Sequence, residues 1–112
     1  MGRVGEHLAA AYLRGLGYVV LYAAWRKGSH EIDLIAWEKG ELVFVEVRTL
    51  SPTVPWPAEA TITPTKQQSL RRAAEHFLAE NPAYASLPAR VDVVAIRLTA
   101  PPQIEVFPDA FR

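Results

Sequence analysis

Residues 31–49, EIDLIAWEKGELVFVEVRT, contain two apolar stretches that predict a β-hairpin with Lys39-Gly40 as its turn. Each stretch is interrupted by an acid, Asp33 in the first and Glu46 in the second. A charged side chain within an apolar strand is destabilising unless something pairs with it. The hairpin therefore indicates the position of a site as well as the start of a sheet.

The turn also predicts which residues of the two strands face each other. Counting outward from Glu38 and Glu41 places Trp37 opposite Leu42, Ile35 opposite Phe44, Asp33 opposite Glu46, and Glu31 opposite Arg48. Opposed side chains lie roughly 5 Å apart at Cβ, and like charges at that distance repel. Because side chains alternate between the two faces, Asp33, Glu46 and Arg48 should share one face. Two carboxylates there suggest a site for Mg²⁺, which prefers oxygen ligands. The alternative is that the acids pair with Arg48 and other cations without a metal, and a one-residue bulge would break the pairing.

The composition of the 112-residue chain suits one domain, which we expect to span residues 1–112. Half of the residues are hydrophobic, yet no apolar run approaches the ~20 residues that span a bilayer. Twelve basic residues balance twelve acidic ones, so the composition indicates no overall basic surface for nucleic acid, although a local basic rim is compatible with it. Cysteine is absent and the N-terminus lacks the features of a secretory signal, so we expect a cytoplasmic protein with no membrane association.

Two helices are predicted outside the hairpin. The first covers residues 2–16, with Glu6 near the boundary of its apolar face, which is formed by Val4, Leu8, Ala11, Tyr12 and Leu16. The second starts at Thr63-Pro64, with threonine as the N-cap, and runs to about Glu80. Lys66 lies on the inward face of this second helix, where it either extends to solvent or reaches toward carboxylates on the sheet.

The remaining segments predict strands and loops. Residues 18–24 are expected to form a strand followed by a polar connection over 25–30, and a proline-rich loop should cover 50–62. Two more strands are expected within 88–98 and over 103–107, with Asp92 in a structural pairing. The predicted order is therefore α-β-β-β-α-β-β, an α/β fold with a mixed central sheet flanked by helices.

Five cations are candidates for contacts with nucleic-acid phosphates: Arg3, Arg26, Lys27, Arg71 and Arg72. Arginine suits such contacts because its guanidinium group binds phosphate in a bidentate manner. The alternative interpretation is that these residues are ordinary solvated surface charges.

Taken together, the motifs resemble the YraN-like family of small bacterial proteins. That family belongs to the restriction-endonuclease-like superfamily, the PD-(D/E)xK nucleases, and resembles nucleases of the Holliday-junction-resolvase type. The resemblance is carried by Gly5-Glu6, Gly17-Tyr18, GSHEIDLIA (residues 28–36), FVEVRT (residues 44–49), Lys66 in TPTKQQSL, and RVDVVAI (residues 90–96).

The resemblance implies a restriction-endonuclease-like fold and metal-dependent hydrolysis of DNA. Asp33 and Glu46 match the two acids that bind Mg²⁺ or Mn²⁺. Glu6 matches a helix acid that related resolvase-like nucleases add to the metal site, and the backbone carbonyl of Val47 would be a further ligand. Arg48 occupies the position of the motif lysine.

The arginine at this position is a departure from the motif. Because a guanidinium group offers only hydrogen-bond donors, Arg48 is a poor proton acceptor, although it can stabilise developing negative charge. Lys66 is our candidate for the missing ammonium group, so the predicted catalytic set is Asp33, Glu46, Arg48 and Lys66.

Nothing in the sequence indicates base recognition, so we expect selection of branched or junction-like DNA over sequence-specific cleavage. A chain of this size covers little DNA, and a homodimer is therefore one expectation. The competing hypothesis is a non-catalytic module with a nuclease-like fold that binds nucleic acid or a protein partner.

Overall fold

The computed structural model describes residues 3–53 and 62–111. The elements are α1 (Arg3–Gly15), β1 (Val19–Lys27), β2 (His30–Glu38), β3 (Glu41–Leu50), α2 (Pro64–Glu80), a short 3₁₀ turn (Pro82–Tyr84), β4 (Ala89–Arg97) and β5 (Gln103–Phe111). This arrangement confirms the predicted α-β-β-β-α-β-β order. Most of the proline-rich loop, residues 54–61, lies outside the described part of the chain.

The five strands form one open mixed sheet in the order β1-β2-β3-β4-β5. Neighbouring strands are antiparallel except β3 and β4, which are parallel and are joined through α2. One face of the sheet packs against α1, around Leu34, Val45 and Val94. The other face packs against α2, where Phe44 meets Phe77 at a ring-centroid distance of 5.9 Å. Helices therefore flank the sheet on both sides, as predicted.

The predicted apolar face of α1 is wrong. The side chains that α1 buries are those of Ala9, Ala10 and Leu13, whereas Val4 and Leu16 remain more than half exposed. The cause is the close approach of the helix to the sheet at Gly5, where an added Cβ would lie 2.8 Å from Thr49 Oγ1. Small residues permit that approach, so they face the sheet and several larger apolar ones face outward.

The first strand and the connection after it also differ from the prediction. Residues 25–27 continue β1 and pair with β2, which leaves only Gly28 and Ser29 as the turn. Trp25 packs edge-on against Phe77 at 5.6 Å, and this tertiary contact stabilises an extension that the polar sequence does not predict. Similarly, β5 continues beyond the predicted residue 107 to residue 111.

The turn end of the hairpin is held by a network around Arg90. Glu38 and Glu41 face each other as predicted, and Arg90 neutralises both, with N–O distances of 2.7 and 2.6 Å. Arg90 also donates from Nε to Asp92 Oδ1 at 2.9 Å, and the hydroxyl of Tyr18 donates to Asp92 Oδ2 at 2.7 Å. Asp92 is completely buried, so its predicted structural pairing is confirmed.

Across residues 3–53 and 62–111, neither helix is both long enough and apolar enough to cross a membrane.

Candidate metal and phosphate site

The acid pair lies where β2 and β3 separate. The hairpin ladder follows the predicted register as far as Leu34 and Val45, and the predicted backbone pairings beyond it, Asp33 with Glu46 and Glu31 with Arg48, are absent from the register of these strands. The start of β2 stays paired with β1, while the end of β3 stays paired with β4. The Asp33 carboxylate takes the place of the lost backbone pairing, because its Oδ2 accepts a hydrogen bond from the amide of Val47 at 2.8 Å.

The two acids nevertheless come together through their side chains. Asp33 and Glu46 lie close enough that each shifts the pKa of the other. Burial and, after it, the negative charge of Asp33 raise the pKa of Glu46 from its ordinary 4.5 to about 7. Burial also raises the pKa of Asp33, although the hydrogen bond from Val47 opposes this. The pair therefore tends to retain a proton near neutral pH, as expected for two carboxyl groups sharing one site.

Lys66 reaches this pair from α2, as its predicted inward position suggested. Thr63 caps the helix by accepting a hydrogen bond from the Lys66 amide, and Leu70, one turn later, packs on Val93, which neighbours Glu46 in the β3–β4 ladder. The Lys66 ammonium consequently lies 3.6 Å from Glu46 Oε2. The Lys66 side chain is 46% exposed and that of Glu46 only 10%, so the ammonium also has access to solvent.

Arg48 shares the α2-facing side of β3 with Glu46 and is half-buried. Its positive charge lowers the pKa of Glu46, as does that of Lys66. The structure thus brings Asp33, Glu46, Lys66 and Arg48 into electrostatic contact. Their catalytic roles stay predictions.

Glu6 and Val47 were predicted as further metal ligands. Gly5 places the first turn of α1 against Val47 and Thr49, and Glu6 is half-buried there. Within the described ranges, no three acidic or histidine side chains are gathered closely enough to hold an ion. The amide of Val47 is engaged by Asp33, and the roles of its carbonyl and of Glu6 stay predictions.

The candidate phosphate contacts near β1 are already in ion pairs. Arg26 lies 3.2 Å from Glu31, and Lys27 pairs with Glu80 at the end of α2. Arg3 begins α1, but its side chain lies outside the described part of the structure.

The two arginines of α2 line different cavities on either side of the helix. Arg72 lines an open groove of about 480 Å³ beside the start of β2. Arg71 lines a separate cavity of about 340 Å³ above Phe44 and Val91. The two residues were predicted together, but only the groove of Arg72 includes the turn of α2 that carries Lys66.

Two features of this region were not predicted from the sequence. His30 stacks on His76 at a centroid distance of 4.6 Å and an interplanar angle of 28°. Arg97 is buried at the end of β4 and donates hydrogen bonds to the carbonyls of Ser51 and Pro52, so it fixes the start of the loop after β3. An arginine that ends an apolar strand was the available signal for the second feature, whereas no local pattern pairs two histidines 46 residues apart.

Comparison with known proteins identifies the family. Residues 5–96 match the model of the uncharacterised protein family UPF0102. A UPF0102 protein of Roseiflexus castenholzii is 44% identical over 96 residues, which cover 86% of this chain and 77% of the relative. Similar proteins of Koribacter versatilis and Geotalea uraniireducens are each 40% identical, covering 98% and 99% of this chain and 78% and 88% of theirs. The chain belongs to the uncharacterised protein family UPF0102, the YraN-like family.

Proposed function

We propose that this protein is a metal-dependent nuclease that uses Mg²⁺ or Mn²⁺ to hydrolyse phosphodiester bonds of structured DNA, such as branched or junction-like molecules. One observation carries the proposal: the buried carboxyl group of Glu46 and the half-buried one of Asp33 interact where two strands separate, with Lys66 3.6 Å from Glu46. Perturbed acids of this kind are concentrated at functional sites because burial of like charges destabilises the fold.

The donor set fits a divalent cation of the magnesium type. Mg²⁺ is commonly held by one or two protein carboxylates while it keeps several waters, so Asp33 and Glu46 are sufficient side-chain ligands. The raised pKa values describe a pair that tends to hold a proton between its oxygens. A cation would replace that proton, and binding would therefore be favoured as the pH rises through about 7.

The chemistry of the site follows from its charges. A bound Mg²⁺ lowers the pKa of a coordinated water and screens the scissile phosphate. In hydrolysis, the water oxygen bonds to phosphorus, the bond from phosphorus to the leaving oxygen breaks, and that oxygen takes up a proton. Lys66 and Arg48 would stabilise the negative charge that develops on the phosphate oxygens. Arg48 acts by charge and not as a base, because a guanidinium group offers only hydrogen-bond donors.

Several features support structured DNA as the substrate class. Arg72, which lines an open groove, can contact phosphate, and phosphate contacts position a nucleic acid without reading its sequence. The net charge of zero disfavours a protein that coats any duplex by charge alone. A homodimer would extend the DNA-covering surface, and it stays a prediction.

A divalent-ion cleavage screen tests the proposal. Four-way junction, flap, single-stranded and duplex DNA are each incubated with the protein in Mg²⁺, Mn²⁺ or EDTA. We expect branched substrates to be cut in the presence of either metal, with activity lost in Asp33→Asn and Glu46→Gln. Glu105→Gln, an exposed glutamate on β5, is the matched control and should retain activity. Cleavage that survives both site substitutions, or that persists in EDTA, would contradict the proposal.

The second candidate function is a non-catalytic module that binds nucleic acid or a protein partner. It is favoured by the ion pair between Lys66 and Glu46, which partly neutralises the acids without a metal, and by arginine in place of the motif lysine. This hypothesis predicts that DNA is retained by the protein and is not cleaved under any divalent ion in the same screen.

A further inference from the structure

A groove beside α2 is lined by groups that can bind the phosphates of a nucleic-acid strand. It is about 480 Å³ in volume and lies between α2 and the start of β2. Its lining residues are His30, Pro64, Thr65, Gln68, Ser69 and Arg72. These residues supply hydroxyl, amide, imidazole and guanidinium donors, all of which hydrogen-bond to phosphate oxygens. The lining includes no carboxylate, so an anionic strand would meet donors and no fixed negative charge.

The charge of Arg72 is directed to this groove. Arg72 is exposed, and among the described residues no carboxylate lies within ion-pair distance of it. In contrast, Arg26 and Lys27 nearby are already paired with Glu31 and Glu80. Arg72 is therefore the cation of this surface that is most able to neutralise a phosphate.

The groove leads to the proposed reaction site. Thr65, Ser69 and Arg72 lie on one flank of α2 at helical spacing, and His76 continues that flank one turn later. From Thr65 to His76 the helix rises roughly 16 Å, about the length of five nucleotides at duplex spacing. Lys66 follows Thr65 directly and lies 3.6 Å from Glu46, so one end of the flank is next to the residue that contacts the acid pair.

The stacked histidines stand at the other end of the flank. His30 and His76 are nearly parallel, with ring centroids 4.6 Å apart, and His76 is exposed. Such a pair offers an aromatic surface on which a base can stack, and only an unpaired base has a free face for that contact. Donors along the flank and an aromatic pair at its end are typical of single-strand binding, because the donors follow the backbone while the ring holds a base.

We propose that this groove binds a single-stranded segment of DNA, such as the unpaired arm of a branched substrate, and directs its backbone to Asp33 and Glu46. Arg72, Ser69 and Thr65 contact successive phosphates, and the His30–His76 pair stacks on a base. This inference rests on the proposed nuclease function for its direction toward the acid pair, but the binding itself requires no metal. Arg71 lines a separate cavity and has no part in strand binding.

Equilibrium binding in EDTA tests the groove without cleavage. The probe is a fluorescein-labelled 15-nucleotide single strand of thymidines, and anisotropy is measured from 50 to 200 mM NaCl. We expect Arg72→Ala to weaken binding about tenfold, and the slope of log K against log salt to fall by about 0.7, the value for one lost phosphate contact on a single strand. Arg71→Ala, the adjacent residue on the same helix, should change affinity less than twofold.

A second pair of variants tests the stacking. His76→Ala should weaken binding at least about fivefold, since base stacking on an aromatic ring is worth roughly 1–3 kcal/mol. His7→Ala is the matched control, because His7 is exposed on α1 at the other face of the sheet. A blunt 15-base-pair duplex should bind more weakly than the single strand and should respond little to His76→Ala.

The outcomes separate this inference from the nuclease proposal. Equal losses for Arg72→Ala and Arg71→Ala, an unchanged salt slope, tighter binding to the duplex, or no DNA binding by the wild-type protein would each overturn the groove assignment. If the wild-type protein cleaves branched DNA while Arg72→Ala binds normally, the groove is wrong and the nuclease stands. If the variants weaken single-strand binding as expected but no divalent ion supports cleavage, the groove stands and the nuclease proposal fails.

Discussion

Replacing Glu46 by glutamine should stabilise the fold at alkaline pH. The Glu46 side chain is only 10% exposed and lies beside the Asp33 carboxylate, and its pKa is raised to about 7. Glutamine keeps the size of the side chain and can donate its amide hydrogen to the Asp33 carboxylate. It cannot ionise, so the variant loses the unfavourable buried charge and retains the contact.

The magnitude follows from the pKa difference. In the unfolded chain Glu46 titrates near 4.5, and in the folded protein near 7. Between these values the folded state holds a proton that the unfolded state has released, so the wild-type free energy of unfolding falls as the pH rises. At about 1.4 kcal/mol per pKa unit the full loss is on the order of 3 kcal/mol above pH 7. The attraction of Lys66 is already contained in this difference, because its charge lowers the pKa of Glu46.

We therefore expect Glu46→Gln to be about 3 kcal/mol more stable than the wild type at pH 8 and nearly equal to it below pH 4.5. Urea denaturation in EDTA at intervals from pH 4.5 to 8 measures this difference. Glu41→Gln on the same strand is the contrast, because Glu41 lies 2.6 Å from Arg90 in a favourable ion pair. That variant should lose about 1 kcal/mol at pH 8.

A different result would refute the reasoning. If Glu46→Gln is less stable than the wild type at pH 8, then the Lys66 charge outweighs burial and Glu46 is ionised at little cost. If the difference between the two proteins does not change from pH 4.5 to 8, the pKa of Glu46 is not raised by the fold.

Three further predictions concern other parts of the molecule. Mg²⁺ at 100 times its dissociation constant should raise the free energy of unfolding by about 2.7 kcal/mol, and thermal denaturation of Asp33→Asn should show no such rise. Arg90→Met should lower stability by roughly 3–5 kcal/mol in urea denaturation, because it leaves the acids around it, one of them fully buried, without their cation; a loss below about 1 kcal/mol would contradict this. Gly5→Ala should lower stability by about 1–3 kcal/mol, since the new Cβ would lie 2.8 Å from Thr49 Oγ1. A double-mutant cycle with Thr49→Ala should recover part of that loss, and strict additivity would show that the two sites do not touch.

Much of the fold is determined by the local sequence. The Lys39-Gly40 turn and the alternation on either side of it determine the hairpin register, because a tight turn leaves few ways to align two strands. Thr63 and Pro64 determine where α2 begins, because capping involves only neighbouring residues. The same register predicted that Asp33 and Glu46 would meet, and the helical phase of α2 predicted that Lys66 would face them.

Contacts between distant segments were decided only by the tertiary structure. The orientation of α1 depends on how closely Gly5 can approach Thr49, which helical periodicity does not describe. The separation of β2 from β3 beyond Leu34 arises because each strand has a second neighbour, β1 or β4, that competes for its pairing. The stacking of His30 on His76 likewise requires α2 to cross the sheet beside β2. Local patterns fix turns, caps and strand alternation, whereas packing between elements selects the face that each one buries and the residues that meet at the site.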